Sequence, residues 1–237
     1  MKAIIPAAGY ATRLYPLTKN FPKGLLEVGN KPIVGHVVDK IREIGIDEII
    51  LVTNSRYFPY FEKWAANQNV KVVDDGTSSN EARLGQVGDI LFAVDREKVD
   101  DDVLIVSGDN LFDFSLKEAQ VFFMKKKAVV NALFDCKDID AAKELGTVVV
   151  DSSSRFVEFF EKSPEPKTTL VSAGVYFFPK EKIRLMRQYV GEGNNADKIG
   201  YFLAWLLKKE PVFGYKYGGR WFDIGIRDVL DKAKKVF

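Results

Sequence analysis

Short apolar runs alternate with segments of helical period through the first half of the chain, and this alternation constrains the fold more than any other feature. Residues 2–6 read as a buried strand. Ile33, Val34, Val37, Val38, Ile41 and Ile44 recur at helical spacing, so 32–45 reads as a helix with Pro early and Gly at its end. Strands are expected at 48–53, 70–73 and 103–107, and helices at 57–66, 85–94 and 116–127. That β-α-β-α order predicts a parallel sheet covered by helices on both faces. After about residue 128 the character shifts. Strands are expected at 128–134, 147–150, 156–160 and 171–178, with helices returning at 180–189, 198–208 and 227–236. Residues 162–169, which hold Pro164 and Pro166, read as a loop. The fold class is α/β: a mixed, mostly parallel sheet with helices on both faces and a partly antiparallel second lobe. The 237 residues suit one domain, 1–237, in two halves, 1–127 and 128–237, with no separating linker.

Composition removes several function classes. Lys and Arg total 35 and Asp and Glu total 33, so a net charge of +2 leaves no general nucleic-acid footprint. Any anion must be held by a local site. The single cysteine, Cys136, rules out an intrachain disulfide, and the single histidine, His36, argues against a zinc site. His36 lies among valines on an expected helix and reads as structural, which argues against a Ser-His-Asp triad. No apolar run is long enough for a signal-peptide core or a membrane span, so a cytoplasmic protein without membrane contact is expected. The aromatic cluster Phe213, Tyr215, Tyr217, Trp221 and Phe222 reads as core or as a subunit interface, which leaves a homo-oligomer open.

In open parallel sheets, ligands bind outside the carboxyl ends of the strands. The first strand ends in Ala7-Ala8-Gly9-Tyr10-Ala11-Thr12-Arg13, and Phe21-Pro22-Lys23 follows. Small residues let the backbone approach a ligand, and successive free N–H groups form an anion nest. Arg13 adds a bidentate phosphate donor, Lys23 a compact charge and Thr12 a hydroxyl. The set suits a triphosphate. Neither the Walker pattern nor the three-glycine dinucleotide fingerprint is present.

The segment Ile4-Ile5-Pro6-Ala7-Ala8-Gly9, with Thr12-Arg13, Pro16, Thr18, Pro22-Lys23 and Leu25-Leu26-Glu27-Val28, resembles the N-terminal signature of the sugar-1-phosphate nucleotidylyltransferases. Later motifs recur in order over nearly the whole chain. The resemblance implies a Rossmann-like nucleotidyltransferase fold whose second half is a sugar-binding lobe. Ala11 stands where the family usually has Gly, which narrows the loop but removes no donor.

The resemblance also implies roles. Arg13 and Lys23 would be catalytic, and Ala8, Gly9 and Thr12 would bind nucleotide. Asp109, in Gly108-Asp109-Asn110, and Asp223, in Trp221-Phe222-Asp223-Ile224-Gly225, resemble the family's paired Mg²⁺ ligands. Mg²⁺ favours such oxygen donors. Glu161-Lys162 resembles the segment that holds sugar hydroxyls and sugar phosphate, with Ser163 inserted before Pro164. Asn110 and Gly146 join this sugar-phosphate set, and 171–176 resembles the strand lining that pocket. The base pocket is expected after the third strand, with Thr77 and Gly85 as its residues. The helix that begins at Gly85 would receive a base or phosphate at its N-terminus.

The expected reaction joins an NTP, dTTP or UTP favoured, to a sugar 1-phosphate, giving NDP-sugar and pyrophosphate. A cytidylyltransferase for a phosphorylated polyol or choline is the alternative, and a catalytically silent nucleotide-sugar sensor is one of another class. The final helix reaches Phe237 without a hexapeptide-repeat extension, so an all-catalytic unit is expected.

Overall fold

The computed structural model describes residues 1–237. The strands are β1 (Lys2–Pro6), β2 (Glu27–Val28), β3 (Lys31–Pro32), β4 (Ile49–Thr53), β5 (Lys71–Asp74), β6 (Val103–Val106), β7 (Asn110–Phe112), β8 (Val129–Asp135), β9 (Gly146–Val150), β10 (Phe156–Glu161), β11 (Leu170–Phe178), β12 (Val212–Tyr217) and β13 (Trp221–Asp223). The helices are α1 (Ile33–Arg42), α2 (Phe58–Ala65), α3 (Gly85–Arg96), α4 (Lys117–Lys126), α5 (Ile139–Ala142), α6 (Ile183–Gly191), α7 (Ile199–Leu206) and α8 (Arg227–Lys234).

Nine strands form one sheet, with β10-β9-β11-β6-β1-β4-β5 as its path and β8 and β12 continuing from β11. The strip β6-β1-β4-β5 is parallel. Antiparallel pairing begins where β11 meets β6 and continues through β8, β9 and β10. Both halves of the chain therefore feed a single sheet.

Alternation along β1 explains the layering. Ala3 and Ile5 face a core shared with α1, α2 and α4, while Ile4 faces a second core built on α3, α6 and α7. Burying both faces requires the near-continuous apolar strands that the sequence carries at 49–53 and 103–106. No helix is long and apolar enough to cross a membrane.

Several elements depart from the expectations. The first long helix spans only Ile33–Arg42. Pro32 is extended before it, and 43–45 turn away with Gly45 at φ 77°. The aromatic cluster at 213–222 lies on two strands: Phe213, Tyr215 and Tyr217 recur at every second residue along β12, which runs parallel to β8, and Trp221 and Phe222 lie on β13. The short pieces β2, β3, β7, β13 and α5 were not expected, because two to four residues carry no readable period. His36 is structural: its Nε2 lies 2.9 Å from the Val28 carbonyl and its ring packs on Phe237.

Candidate active site

β1 delivers residues 7–13 to the carboxyl edge of the sheet, and the loop is tied from behind. Asn54 Nδ2 donates to the Ala8 carbonyl at 2.7 Å and Thr18 Oγ1 to the Ala11 carbonyl at 2.8 Å. Tyr57 then donates to the Thr18 carbonyl at 2.8 Å. The N–H groups of Ala8, Gly9, Tyr10 and Ala11 donate to no protein atom, which leaves them free to face an anion. A Cβ at Gly9 would meet nothing within 4 Å, because the space in front of it is cavity. Ala11, which stands where glycine is usual, adopts φ 47°, ψ 46°, the left-handed conformation that glycine takes freely. Its methyl costs about 1 kcal/mol of backbone strain and leaves the donors in place.

A cavity of ≈ 1020 Å³ runs along this edge. Ala8, Gly9, Thr12, Arg13, Gly85, Asp109, Asn110, Gly146, Glu161, Lys162 and Asp223 all line it. Lys23 and Thr77 do not. Lys23 lies behind the wall and reaches Asp109 Oδ2 at 2.6 Å. Thr77 is spent on Asp75, to which its N–H and hydroxyl both donate at 2.7 Å.

Asp109 and Asp223, 114 positions apart, meet because β7 and β13 pair antiparallel with Asp223 opposite Asn110. The Ile224 N–H donates to the Asp109 carbonyl at 3.1 Å. Burial alone would push the Asp109 carboxyl up, but the Lys23 ammonium and the Asn110 amide hold it below the ordinary range. Asp223 is pushed up to about 6, first by burial and then by the charge on Asp109. Two hard carboxylates that repel each other make a donor set that fits a divalent cation. No third acid, His or Cys joins them in a cluster, so waters and phosphate oxygens would complete the shell. Asn110 has both ends of its amide engaged. Nδ2 donates to Asp109 at 2.8 Å and Oδ1 accepts from Trp221 Nε1 at 2.8 Å. Its place in the structure is that of a brace for Asp109. Arg13 forms no ion pair or hydrogen bond within the chain and extends past Gly225.

The opposite end of the cavity is built by β9, β10 and the start of α7. Glu161, only 12% exposed, is paired with Lys198 at 3.2 Å. Its Oε2 sits where a Cβ on Gly200 would overlap it, and a Cβ on Gly146 would come within 3.2 Å. The two glycines thus clear the space that the carboxylate fills. Lys162 adopts φ 55° and its Nζ lies 3.5 Å from Glu144. Lys198 and Gly200 were not read from the sequence, since neither belongs to a motif.

The near end is closed by α3. Its first turn was expected to receive a ligand, but residues 196–197 already cap it: Gln86 and Val87 donate to the Asp197 and Ala196 carbonyls at 3.1 and 3.0 Å. Gly85, at φ 78°, permits this approach, as a Cβ there would lie 2.5 Å from the Ala196 carbonyl oxygen. Asp89, also missed, lies on this wall with its carboxyl pushed up to about 8, by burial first and the Asp75 charge second.

That shift has a consequence for stability. Below the ordinary carboxylate range Asp89 is protonated in both folded and unfolded chains. As pH rises toward 8 the unfolded chain releases the proton and the folded one keeps it, so stability falls over that interval. Asp89→Asn removes this cost. A gain on the order of 1–2 kcal/mol at pH 8, with roughly 2–4 °C in Tm per kcal/mol, is expected, and it should vanish near pH 4. Melting curves across that range check it; a gain independent of pH would sink the assignment.

The family model for nucleotidyl transferases matches residues 2–236. The bifunctional protein GlmU of Methanocaldococcus jannaschii is 31% identical over 235 residues, covering 99% of this chain and 54% of that protein. The UTP–glucose-1-phosphate uridylyltransferase AglF of Haloferax volcanii is 29% identical, covering 99% of this chain and 96% of that one. A Bacillus anthracis structure in complex with sucrose superposes with a TM-score of 0.85 at 23% identity, over 100% of this chain and 94% of that one, a likeness of fold. The chain spans about half the length of several of its curated relatives.

Proposed function

The chain belongs to the nucleotidyl transferase family, and on that premise we propose that it joins a nucleoside triphosphate to a sugar 1-phosphate, releasing pyrophosphate. One observation carries this reading. The β7–β13 pairing sets two carboxylates beside an unpaired arginine and a nest of free N–H groups, in the same cavity as Glu161 and Lys162. Relatives named as a glucose-1-phosphate uridylyltransferase and a mannose-1-phosphate guanyltransferase support the substrate class. The favoured donor is dTTP or UTP, with the base on the Gly85 wall and the sugar on the Glu161 wall.

The sugar phosphate oxygen attacks the α-phosphorus in line, and pyrophosphate leaves. That nucleophile is already anionic at neutral pH, since its second pKa is about 6. No general base is required, which suits a chain whose one histidine is structural. Arg13 and the loop N–H groups take the charge of the triphosphate, and Lys162 takes that of the sugar phosphate. Asp109 and Asp223 would hold Mg²⁺, which would supply further charge neutralisation at the α-phosphate. Lys23 keeps Asp109 ionised for that purpose, and Asn110 fixes its orientation.

Pyrophosphate release, measured with each NTP against a panel of sugar 1-phosphates, phosphocholine and polyol phosphates, tests the reading. A preference for a sugar 1-phosphate is expected. Turnover confined to CTP with phosphocholine or a polyol phosphate would favour the cytidylyltransferase alternative, and no turnover would favour a sensor.

The crowding at Glu161 gives a more local test. Gly200→Ala forces its carboxylate aside, so KM for the sugar phosphate should rise on the order of tenfold, the size of one lost charged hydrogen bond, while KM for the NTP holds. Equal effects on both substrates would mean that Glu161 does not face the sugar.

A further inference from the structure

Two buried carboxyls on the α3 wall take no part in the transfer itself. Asp75 follows β5 and Asp89 lies one turn into α3, and their side chains face each other. Both are more than nine-tenths buried, at 8% and 5% exposure. Thr77 gives both its donors to Asp75 Oδ1. Asp75 Oδ2 and Asp89 Oδ1 are left fully buried with no other partner. The neighbouring charge is negative too, from Asp197, which is itself matched by Arg83 at 2.8 Å. Burial and mutual repulsion push both carboxyls up in such a place, which favours a pair that holds one proton. Thr77 favours the charge on Asp75, which leaves the proton on Asp89.

Asp89 Oδ2 is the remaining oxygen. It has no hydrogen bond and is not sealed from the cavity, which Asp89 lines beside Gly85 and Gln86. An acidic pair is a poor neighbour for a triphosphate and turns it toward Arg13. It is a good neighbour for an edge that carries N–H groups.

We propose that Asp89 determines nucleobase specificity: clamped to Asp75 through one shared proton, it offers its free oxygen to an imino or amino N–H on the base edge. This rests on the NTP reading above and deepens it. The clamp fixes the oxygen before the base arrives, so a base that cannot donate there leaves a held acceptor unpaired. One such mismatch corresponds to about 5–150-fold in affinity.

Asparagine at position 89 mimics the protonated state, because its amide nitrogen donates to Asp75 and its oxygen stays free. Calorimetric binding of ATP, GTP, CTP, UTP and dTTP to wild type, Asp89→Asn and Asp89→Leu tests the idea, with melting curves to verify folding. The expected result is a spread of affinities in wild type whose order Asp89→Asn retains. Asp89→Leu should narrow that spread on the order of 10–100-fold, through loss at the best-bound NTP. Asp89→Ala carries the same test should Asp89→Leu fail to fold. Equal weakening of all five NTPs, an unaltered spread, or asparagine behaving as leucine would overturn the proposal. So would a wild type that binds no NTP. A wild type that binds with a spread yet releases no pyrophosphate would defeat the catalytic reading and leave this one standing.

Discussion

Asp109→Asn and Asp223→Asn are each expected to lower turnover by at least 10²–10³ at ordinary magnesium, the scale of losing one transition-state-stabilising contact. The substitution preserves size and removes one full charge from the pair; at Asp109 it also costs one of two accepted hydrogen bonds, from Lys23 or from Asn110. Asp223 stands at about 6 because burial and Asp109 both oppose its ionisation. Replacing Asp223 relieves that repulsion, so Asp223→Asn should fold at least as well as wild type, whereas Asp109→Asn also gives up the ion pair with Lys23. In Asp223→Asn a loss of activity without a loss of stability therefore separates ligand from scaffold. Because both side chains would serve one ion, the double variant should be little worse than either single one. Raised magnesium should recover part of the rate in the single variants. Near-wild-type turnover at ordinary magnesium in either variant would remove that residue from the site.

The parallel half of the fold was legible because its strands are buried on both faces. Runs such as 49–52 and 103–106 have no polar interruption, and α1 ahead of them carries its apolar residues at regular spacing. The short strands β7 and β13 were not legible, although they are what unites Asp109 with Asp223. Their motifs marked the two aspartates as chemistry, but only tertiary pairing makes them neighbours. Period-2 aromatics at 213, 215 and 217 were a strand signal that bulk and clustering obscured.

The walls of the cavity were harder to read than its floor. In sequence, Thr77 offers a hydroxyl and Gly85 a helix start. The hydroxyl serves Asp75, and the helix start is capped by residues more than a hundred positions away. Asp89 carried a usable signal, an acid among Val87, Ile90 and Leu91 on the buried side of a helix. Lys198 carried none, because its partner Glu161 belongs to a different motif and only the fold joins them.

The two cations near the phosphate loop looked alike in sequence and should behave differently on substitution. Arg13 is exposed, lines the cavity and has no partner in the chain. Its guanidinium is therefore available to a phosphate at no cost in broken ion pairs, and it can grip two oxygens at once. Arg13→Ala should lower kcat on the order of 10²–10³ with little change in Tm, since no ion pair or hydrogen bond within the chain is lost. Arg13→Lys should recover only part of that rate, because an ammonium cannot make the bidentate contact. Lys23, by contrast, is 17% exposed and bound to Asp109, which is itself only 31% exposed. Lys23→Ala leaves two adjacent carboxylates without their nearest counter-charge, and the Asp109 carboxyl should then rise toward and above the ordinary range. Its effect should appear as lost stability and as an altered magnesium requirement. Turnover measured over a magnesium titration, paired with melting curves, distinguishes the two. If Arg13→Ala shifted the magnesium requirement and Lys23→Ala did not, the division of labour would be the reverse.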